Sequence, residues 1–371
     1  MGKNSVIDLF AGCGGFSIGF EKAGFRVTKA VEIDKQIAHT YSMNHANVLM
    51  LNDDIGSVDN EYNFTRGEAE VIVGGPPCQG FSMAGARIRK NGFIDDPRNY
   101  LFKHYLNVVK IVRPKVFVFE NVKGILSMKK GEIFREIVSA FSNPANFDGN
   151  HYFINYKTVK AIEFGVPEKR ERLFVIGTLN KSIELEKLEQ LTRTQILAEN
   201  PSFFDDVTVG DAIAGLPMPS EDGMIENPRP CNRYQEYLCS RNDTLTNHKA
   251  TIHTETAVGR MRQIQKGQNW TSLEEEIHSV HSGSYGRMSW DEPSATITTR
   301  FDTPSGGRFI HPEENRTITP REAARIQSFP DDFVFYGSKS SICKQIGNAV
   351  PPKLSFFIAS LIKNIIYEHS W

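Results

Sequence analysis

Paired cysteines are missing from this chain. Its 371 residues include five cysteines, and no two of them stand in a CxxC spacing. This argues against a disulfide framework and against a zinc site, and it suits a reducing cytosol. The five are Cys13, Cys78, Cys231, Cys239 and Cys343.

Long apolar runs and an excess of charge are missing as well. No apolar run approaches the roughly 18 residues that a membrane-spanning helix needs. The N-terminal stretch MGKNSVIDLF lacks the apolar segment of a signal peptide. The net charge is −1, so a nucleic-acid partner would have to be bound by local basic patches. With 40% hydrophobic and 23% charged residues, the composition is that of an ordinary soluble globular chain.

The first half of the chain alternates strand-like and helix-like segments. Predicted strands include SVIDLF, FRVTKAVEID, EAEVIVGG and KVFVFENV, and YLFKHYLNVVKIVRP repeats its apolar residues with helical spacing. This alternation predicts an α/β fold with a doubly wound, mostly parallel sheet over residues 1–179. Residues 180–316 have poor periodicity and indicate a smaller, irregular domain. Residues 317–371 regain helical patterns, and their amphipathic end is expected to pack back on the first domain.

A glycine-rich turn joins the first predicted strand to the first helix. In DLFAGCGGFSIGF, Gly12, Gly14 and Gly15 would let the backbone approach a ligand and present free amides at a helix N-terminus. Glu32 ends the second strand, where a carboxylate can accept both ribose hydroxyls. The pattern predicts a nucleotide-type site but does not separate NAD from S-adenosylmethionine. Asp54 is placed either to contact an adenine amino group or to lie in a solvated loop.

Residue types that carry chemistry follow the next two strands. Cys78 comes after two prolines at the end of one strand, and Glu120 ends the next. Parallel strands bring both to one edge of the sheet, where ligands bind. Arg170 and Arg172 stand two apart at the start of a later strand, hence on one face. Each has a simple structural explanation, as a buried cysteine, a capping glutamate or a solvated charge run. Together, beside a cofactor loop, they predict an active site.

Seven segments in chain order resemble the motifs of the DNA (cytosine-5)-methyltransferases. They are FAGCGG, EID, PPCQGFS, ENV, PEKRER, REAARIQSFPD and GNAVPP. The resemblance covers roughly residues 6–177 and 316–352, and the segment between them differs most among family members. It implies a Rossmann-like catalytic and cofactor-binding domain over 1–179, a target-recognition domain over 180–316, and a hinge that returns to the catalytic domain over 317–371.

The resemblance also implies the chemistry. Cys78 would add as a thiolate to carbon 6 of a flipped-out cytosine, which makes carbon 5 nucleophilic toward the methyl group of S-adenosylmethionine. Glu120 would bond ring N3 and the exocyclic amine, and Arg172 would hold O2. Arg170 would support the pocket and help to keep Cys78 deprotonated.

The implied cofactor site combines the glycine loop with strand ends and a late turn. Phe10 would stack on adenine, Glu32 would bind the ribose, and Asp54 would bind the adenine edge. Two positions depart from the family, because Glu168 stands where many members have glutamine and Ile33 where some have an aromatic residue. The predicted cofactor-binding residues are Phe10, Gly12, Gly14, Gly15, Glu32, Ile33, Asp54, Ile55, Pro77, Leu101, Asn348, Ala349 and Val350.

Local charge favours residues 229–266 as the part that reads DNA. This segment holds seven basic and three acidic residues, a balance of +4. Phosphate contacts would fix the register, and side chains at base edges would read the sequence. The loop that carries Arg87 is expected to close over the phosphates, and SATITTRF is a second contact strip. For any single residue, a solvated loop face is the simpler explanation. The predicted DNA-binding residues are Ser82, Arg87, Arg89, Lys90, Arg229, Arg233, Arg241, Arg260, Arg262 and Thr296.

Three other classes of protein share part of this sequence pattern. A tRNA methyltransferase of the same branch usually has proline and threonine after the glutamine, where this chain has CQGFS. A non-catalytic nucleic-acid binder on this scaffold should have lost Cys78, Glu120 or Arg172, and a nicotinamide dehydrogenase has no use for the cysteine–glutamate pair. The expected protein is a bacterial or phage modification enzyme of the cytoplasm. It would act as a monomer on double-stranded DNA, without metal or membrane, and any restriction endonuclease would act separately.

Overall fold

The fold is taken from a computed structural model, which describes residues 4–77, 101–239, 242–273 and 282–368. The strands are β1 (Ser5–Leu9), β2 (Arg26–Val31), β3 (Leu49–Leu51), β4 (Val71–Gly74), β5 (Val116–Val122), β6 (Tyr152–Lys160), β7 (Glu171–Leu179), β8 (Ile225–Glu226) and β9 (Thr244–Leu245). The α-helices are α1 (Gly15–Lys22), α2 (Lys35–Asn44), α3 (Ile55–Val58), α4 (Leu101–Val112), α5 (Glu132–Ser142), α6 (Leu185–Glu199), α7 (Val209–Ile213), α8 (Arg233–Leu238), α9 (Glu255–Gln263), α10 (Pro320–Ile326), α11 (Lys339–Asn348) and α12 (Pro352–Glu368).

A seven-stranded sheet in the order β3-β2-β1-β4-β5-β7-β6 forms the centre of the molecule. The strands from β3 to β5 are parallel, whereas β7 runs antiparallel to both of its neighbours. The central strands β1 and β4 are buried along their whole length, as parallel strands covered on both faces must be. The prediction of an α/β fold with a mostly parallel sheet is therefore confirmed. Strand β6 ends at Lys160, and a 3₁₀ turn follows over Ala161–Phe164.

Helices cover both faces of the sheet. On one face, α12 buries Leu354, Phe357 and Ile358 in the same apolar core as Phe16 of α1. On the other face, α4 and α5 pack on the inner strands. The predicted return of the C-terminal segment to the first domain is thus confirmed. The stretch Lys339–Tyr367 has the length and mean hydropathy (1.3) of a membrane span, but 72% of its most apolar window is buried inside the protein, which marks it as a core element.

The described part of residues 200–316 contains little regular structure. Its apolar residues gather partly with α10 and α11, as in the cluster that includes Ile213, Leu238 and Ile346. Helix α6 behaves differently, because Leu188 and Ile196 lie in the core beneath α12. The sequence analysis placed α6 in the second domain. The division of the chain at residues 179 and 316 stays a prediction.

Candidate active site

The glycine loop and the end of β2 are joined by one carboxylate. Phe10, Gly12 and Gly14 have φ values of 57°, 57° and 101°. All three values are left-handed, and the two glycines adopt this conformation without strain. The Gly12 amide donates to Glu32 Oε2 at 3.0 Å, and the Asp34 amide donates to Oε1 at 2.9 Å. Burial raises the pKa of Glu32, and these backbone donors oppose that shift. Each carboxylate oxygen keeps a further acceptor site, which suits two adjacent ribose hydroxyls.

The loop is also held against the last part of the chain. A Cβ atom added at Gly15 would lie 2.3 Å from the carbonyl oxygen of Val350, and one added at Gly14 would lie 2.3 Å from His45 Nε2. Only glycine fits such close approaches. Two groups of predicted cofactor residues, the glycine loop and the turn at Asn348–Val350, are therefore adjacent in space although they lie far apart in the sequence.

The surface beside the glycine loop and Glu32 is partly apolar. Ile33 is 63% exposed, and the side-chain amide of Asn52 donates to the carbonyls of Glu32 and Ile33 at 2.8 and 3.2 Å. Asp54 caps α3, since its Oδ1 accepts the Gly56 amide at 2.8 Å, so one of its acceptor sites already serves the fold. Carboxylates, open backbone and apolar side chains fit a nucleoside such as that of S-adenosylmethionine. Ile55 is buried, whereas Pro77 and Leu101 are half-buried.

Glu120 and Arg172 form an ion pair where β5 ends and β7 begins. Arg172 Nε lies 3.0 Å from Glu120 Oε1, and the two side chains are 15% and 13% exposed, so the pair borders an opening. Gly75 leaves that space free, because a Cβ there would lie 2.7 Å from Glu120 Oε2. Burial raises the pKa of Glu120, although Arg172 and Arg170 oppose this. Burial also lowers the pKa of Arg172 to about 10.

The two predicted arginines have different surroundings. Arg170 is 1% exposed, and its guanidinium donates to the carbonyls of Gly347 at 3.0 Å and Ile297 at 3.3 Å. It is close enough to Glu120 to oppose the rise in the pKa of that carboxyl group, and its hydrogen bond to Gly347 holds the turn beside the glycine loop. This position fits the supporting role predicted for Arg170. Arg170 binds backbone carbonyls, whereas Arg172 pairs with Glu120 and faces the opening.

The predicted nucleophile and the loop after it are not described. Cys78, Ser82, Arg87, Arg89, Lys90 and Arg241 lie outside the described residues, so their roles stay predictions.

The first described range of the chain ends at Pro77, one residue before Cys78. The backbone there is held by Asn121, which has no predicted role. The buried side-chain amide of Asn121 donates to the carbonyl of Pro76 at 3.1 Å. The sequence signal that could have identified Asn121 is a polar residue near the end of an otherwise apolar strand.

The predicted DNA contacts in the second domain are partly engaged within the protein. Arg229, Arg233 and Arg262 are exposed. The Arg260 guanidinium carbon lies 5.7 Å from the centre of the Tyr285 ring. The hydroxyl of Thr296 donates to the carbonyl of Lys169 at 3.0 Å, a contact that joins the SATITTRF strip to the catalytic domain. Their contacts with DNA stay predictions.

Arg287 organises the region that follows α9, and no sequence signal singled it out. It is 4% exposed. Its guanidinium donates to the carbonyls of Met261 (2.6 Å), Ile264 (2.7 Å), His311 (2.7 Å) and Glu314 (2.8 Å), and to the side chain of Asn315 (2.8 Å). An arginine in an irregular segment normally indicates a solvated loop.

The described residues hold no group of three or more His, Cys, Asp or Glu side chains that could bind a metal ion.

Comparison with known proteins agrees with this arrangement. Residues 4–364 match the family described as C-5 cytosine-specific DNA methylase. The Type II methyltransferase M.DdeI of Desulfomicrobium norvegicum is 35% identical over 96% of this chain and 88% of its own length. The Type II methyltransferase M1.HphI of Haemophilus parahaemolyticus is 34% identical over 96% of this chain and 86% of its own length.

Solved structures show the same likeness. A prophage-encoded DNA modification methyltransferase of E. coli superposes with a TM-score of 0.74 at 28% identity, over 98% of this chain and 99% of that one. The Dnmt2 methyltransferase of S. pombe, at 17% identity and a TM-score of 0.61 over 98% of this chain and 100% of its own, shares the fold. Because the family match and the relatives span nearly the whole length, the chain belongs to the C-5 cytosine-specific DNA methylases.

Proposed function

We propose that this methylase modifies carbon 5 of one cytosine within a short target sequence of double-stranded DNA, in the bacterial cytoplasm. S-adenosylmethionine, the methyl donor that the family implies, would be held by the glycine loop, Glu32 and the turn at Asn348–Val350. When bound, it supplies an electrophilic methyl group. Since its relatives are Type II methyltransferases, we further propose that it acts as a monomer that protects DNA from a separately acting restriction endonuclease.

The Glu120–Arg172 pair is the observation that carries this proposal. A cytosine presents O2, N3 and the exocyclic amine side by side along one edge. A guanidinium donor and a carboxyl group 3.0 Å apart match that order, with Arg172 on O2 and Glu120 on N3 and the amine. Because burial raises the pKa of Glu120, this carboxyl group is suited to sharing a proton with N3. A flipped base would enter through the opening that Gly75 leaves.

Cys78 would complete the chemistry. Its thiolate forms a bond to carbon 6 while the carboxyl group of Glu120 shares its proton with N3. The ring then becomes an enamine, in which carbon 5 is the nucleophile. After methylation, loss of the carbon 5 proton and departure of the Cys78 thiolate restore the aromatic ring. Asn121 supports this step by fixing the carbonyl of Pro76 ahead of Cys78 in the chain.

The experiment uses duplex DNA in which the target cytosine is replaced by 5-fluorocytosine. The fluorine cannot leave as a proton does, so the wild type should form an adduct that survives denaturation. Cys78→Ser should form none and should still bind S-adenosylmethionine. Cys343→Ala, which removes a buried thiol that the proposed chemistry does not use, is the matched control and should form the adduct. An adduct with Cys78→Ser, or modification of tRNA in place of duplex DNA, would contradict the proposal.

Target choice is proposed to reside in the second domain, with its exposed basic residues on the DNA. Bisulfite sequencing of DNA from a host that expresses the chain identifies the methylated sequence. Exchange of residues 180–314 for those of a relative with a known target should move methylation to the relative's sequence. An active chimera that keeps the original target would show that the catalytic domain reads the DNA.

A further inference from the structure

Two side chains from the catalytic domain hold both backbone groups of Ile297. The Ile297 amide donates to Glu168 Oε1 at 2.6 Å, and its carbonyl accepts from Arg170 Nη1 at 3.3 Å. The same arginine nitrogen lies 3.4 Å from Glu168 Oε1. Glu168 and Arg170 are 0% and 1% exposed. A backbone segment held at both its donor and its acceptor has little freedom to move against the pair.

The contact continues along the neighbouring backbone. The Lys169 amide donates to the carbonyl of Ser294 at 2.8 Å, and the Ser294 amide donates to the carbonyl of Pro167 at 2.9 Å. Residues 294–298, which belong to the predicted DNA strip SATITTRF, therefore lie along residues 167–170 of the catalytic domain. Any movement of this strip on binding DNA is transmitted to Glu168 and Arg170.

Arg170 reaches the cofactor side as well. Its Nη2 donates at 3.0 Å to the carbonyl of Gly347, the residue before the turn at Asn348–Val350. A Cβ at Gly347 would lie 2.5 Å from the carbonyl carbon of Thr298, so the strip and the turn are also in direct contact. Two residues further along the chain, Arg172 pairs with Glu120. Arg170 thus joins the strip to the cofactor turn, and it lies two residues before Arg172 in the chain.

Glu168 determines how Arg170 is oriented. Its Oε1 binds both Ile297 and Arg170, whereas its Oε2 is buried with no partner among the described residues. Burial raises the pKa of Glu168, and Arg170 and the Ile297 amide oppose that shift. A buried carboxyl group with an unpartnered oxygen destabilises the fold, so a contribution to stability does not account for Glu168, and its bonding atom is Oε1, which holds Ile297 and Arg170.

We propose that Glu168 is a positioning residue that, by fixing Arg170 and Ile297 together, couples binding of DNA along residues 294–298 to binding of S-adenosylmethionine at the turn. This inference rests on the proposed function. By linkage, target DNA tightens S-adenosylmethionine binding by the same factor as S-adenosylmethionine tightens DNA binding.

The test measures by calorimetry the affinity of the full-length protein for S-adenosylhomocysteine, which lacks the methyl group and cannot react, with and without a duplex that carries the mapped target. The wild type should bind more tightly with the duplex, by about 5-fold or more. Glu168→Ala should lose most of that factor. Glu168→Gln should keep most of it, because its amide oxygen can still accept from Ile297. Glu163→Ala, an exposed glutamate of the same segment, is the matched control and should keep all of it.

Several outcomes would overturn the inference. One is a Glu168→Ala protein that is less stable but has an unchanged ratio of the two affinities, which indicates a prop only. Where Glu168→Ala does not fold, Arg170→Lys serves instead. A lysine reaches one of the two carbonyls at a time and should lose the same coupling, so an unchanged ratio there refutes the proposal. A wild type that methylates the target but shows no coupling also refutes it, while a wild type that methylates no DNA refutes the proposed function itself.

Discussion

The side-chain amide of Asn121 donates a hydrogen bond to the carbonyl oxygen of Pro76 at 3.1 Å. The bond joins the end of β5, next to Glu120, to the segment that leads into Cys78. Asn121→Asp keeps the shape and the acceptor for the Val122 amide, but it sets an oxygen against the Pro76 carbonyl. We expect kcat to fall by about 10- to 100-fold, which corresponds to roughly 1–3 kcal/mol for a lost buried hydrogen bond.

Steady-state kinetics and calorimetry separate this effect from cofactor binding, which should not change. Asn143→Asp is the matched control, because Asn143 is exposed and its oxygen alone makes the described cap. A kcat equal to that of the wild type would mean that the Pro76 contact does not position the nucleophile.

Glu32→Ala should weaken S-adenosylmethionine binding by a few kcal/mol at most, or roughly 10- to 100-fold. The substitution removes the ribose acceptor and also leaves the amides of Gly12 and Asp34 without their partner. Calorimetry with the cofactor alone measures the loss, and Glu61→Ala at an exposed position is the control. Equal affinity for wild type and variant would show that the ribose lies elsewhere.

Asp8 makes stability dependent on pH. It is fully buried, Ser17 donates to its Oδ2 at 2.7 Å, and Oδ1 has no partner among the described residues. Burial raises the pKa of Asp8 to about 7 from 3.8. The folded state keeps the proton that the unfolded state releases, so stability is lost as pH rises from about 4 to about 7 and then levels off.

Asp8→Asn cannot ionise in either state. Its free energy of unfolding relative to the wild type should therefore increase between pH 4 and pH 8, by up to about 4 kcal/mol. Urea denaturation at several pH values measures this difference, with the exposed Asp291→Asn as the control. Parallel curves for Asp8→Asn and wild type would show that Asp8 is charged in the folded protein.

Arg287→Met should destabilise the region after α9 by roughly 3–5 kcal/mol, because four carbonyls and one amide oxygen lose a buried, charged donor. Hydrogen exchange should show lost protection in residues 255–268 and 310–316, while the sheet stays protected. Arg300→Met, at an exposed position, should leave exchange unchanged. Uniform loss of protection over the whole chain would instead place Arg287 in the global folding core.

The sequence predicted what local pattern determines. Apolar runs predicted the strands of the sheet, and the helical pattern of residues 317–371 predicted helices there, of which α10 begins with a capping box between Thr319 and Glu322. The rule that ligand sites lie where parallel strands end predicted the place of Glu120 at the sheet edge, whereas its ion pair with Arg172 arises because β7 runs antiparallel to β5 and begins where β5 ends.

Long-range contacts were beyond such rules. The hydrogen bonds of Arg287 and the clamp of Glu168 on Ile297 join residues far apart in the chain, and nothing in their local sequence specifies the partner. The packing partner of α6 could not be predicted for a related reason. Its few buried residues, Leu188, Thr192 and Ile196, give a weak apolar stripe that does not reveal which core it joins.

The contact between α1 and α12 has a consequence for synthesis of the protein on the ribosome. Ser355 Oγ donates to the carbonyl of Phe16 at 2.7 Å, and Val350 forms the wall against Gly15. A growing chain that has emerged only as far as α10 has its glycine loop but no wall behind it, and domains generally fold as units once their residues are available. The site proposed for S-adenosylmethionine is therefore completed only late in translation. We expect a fragment that ends before Val350 to lack this wall and to bind no methyl donor.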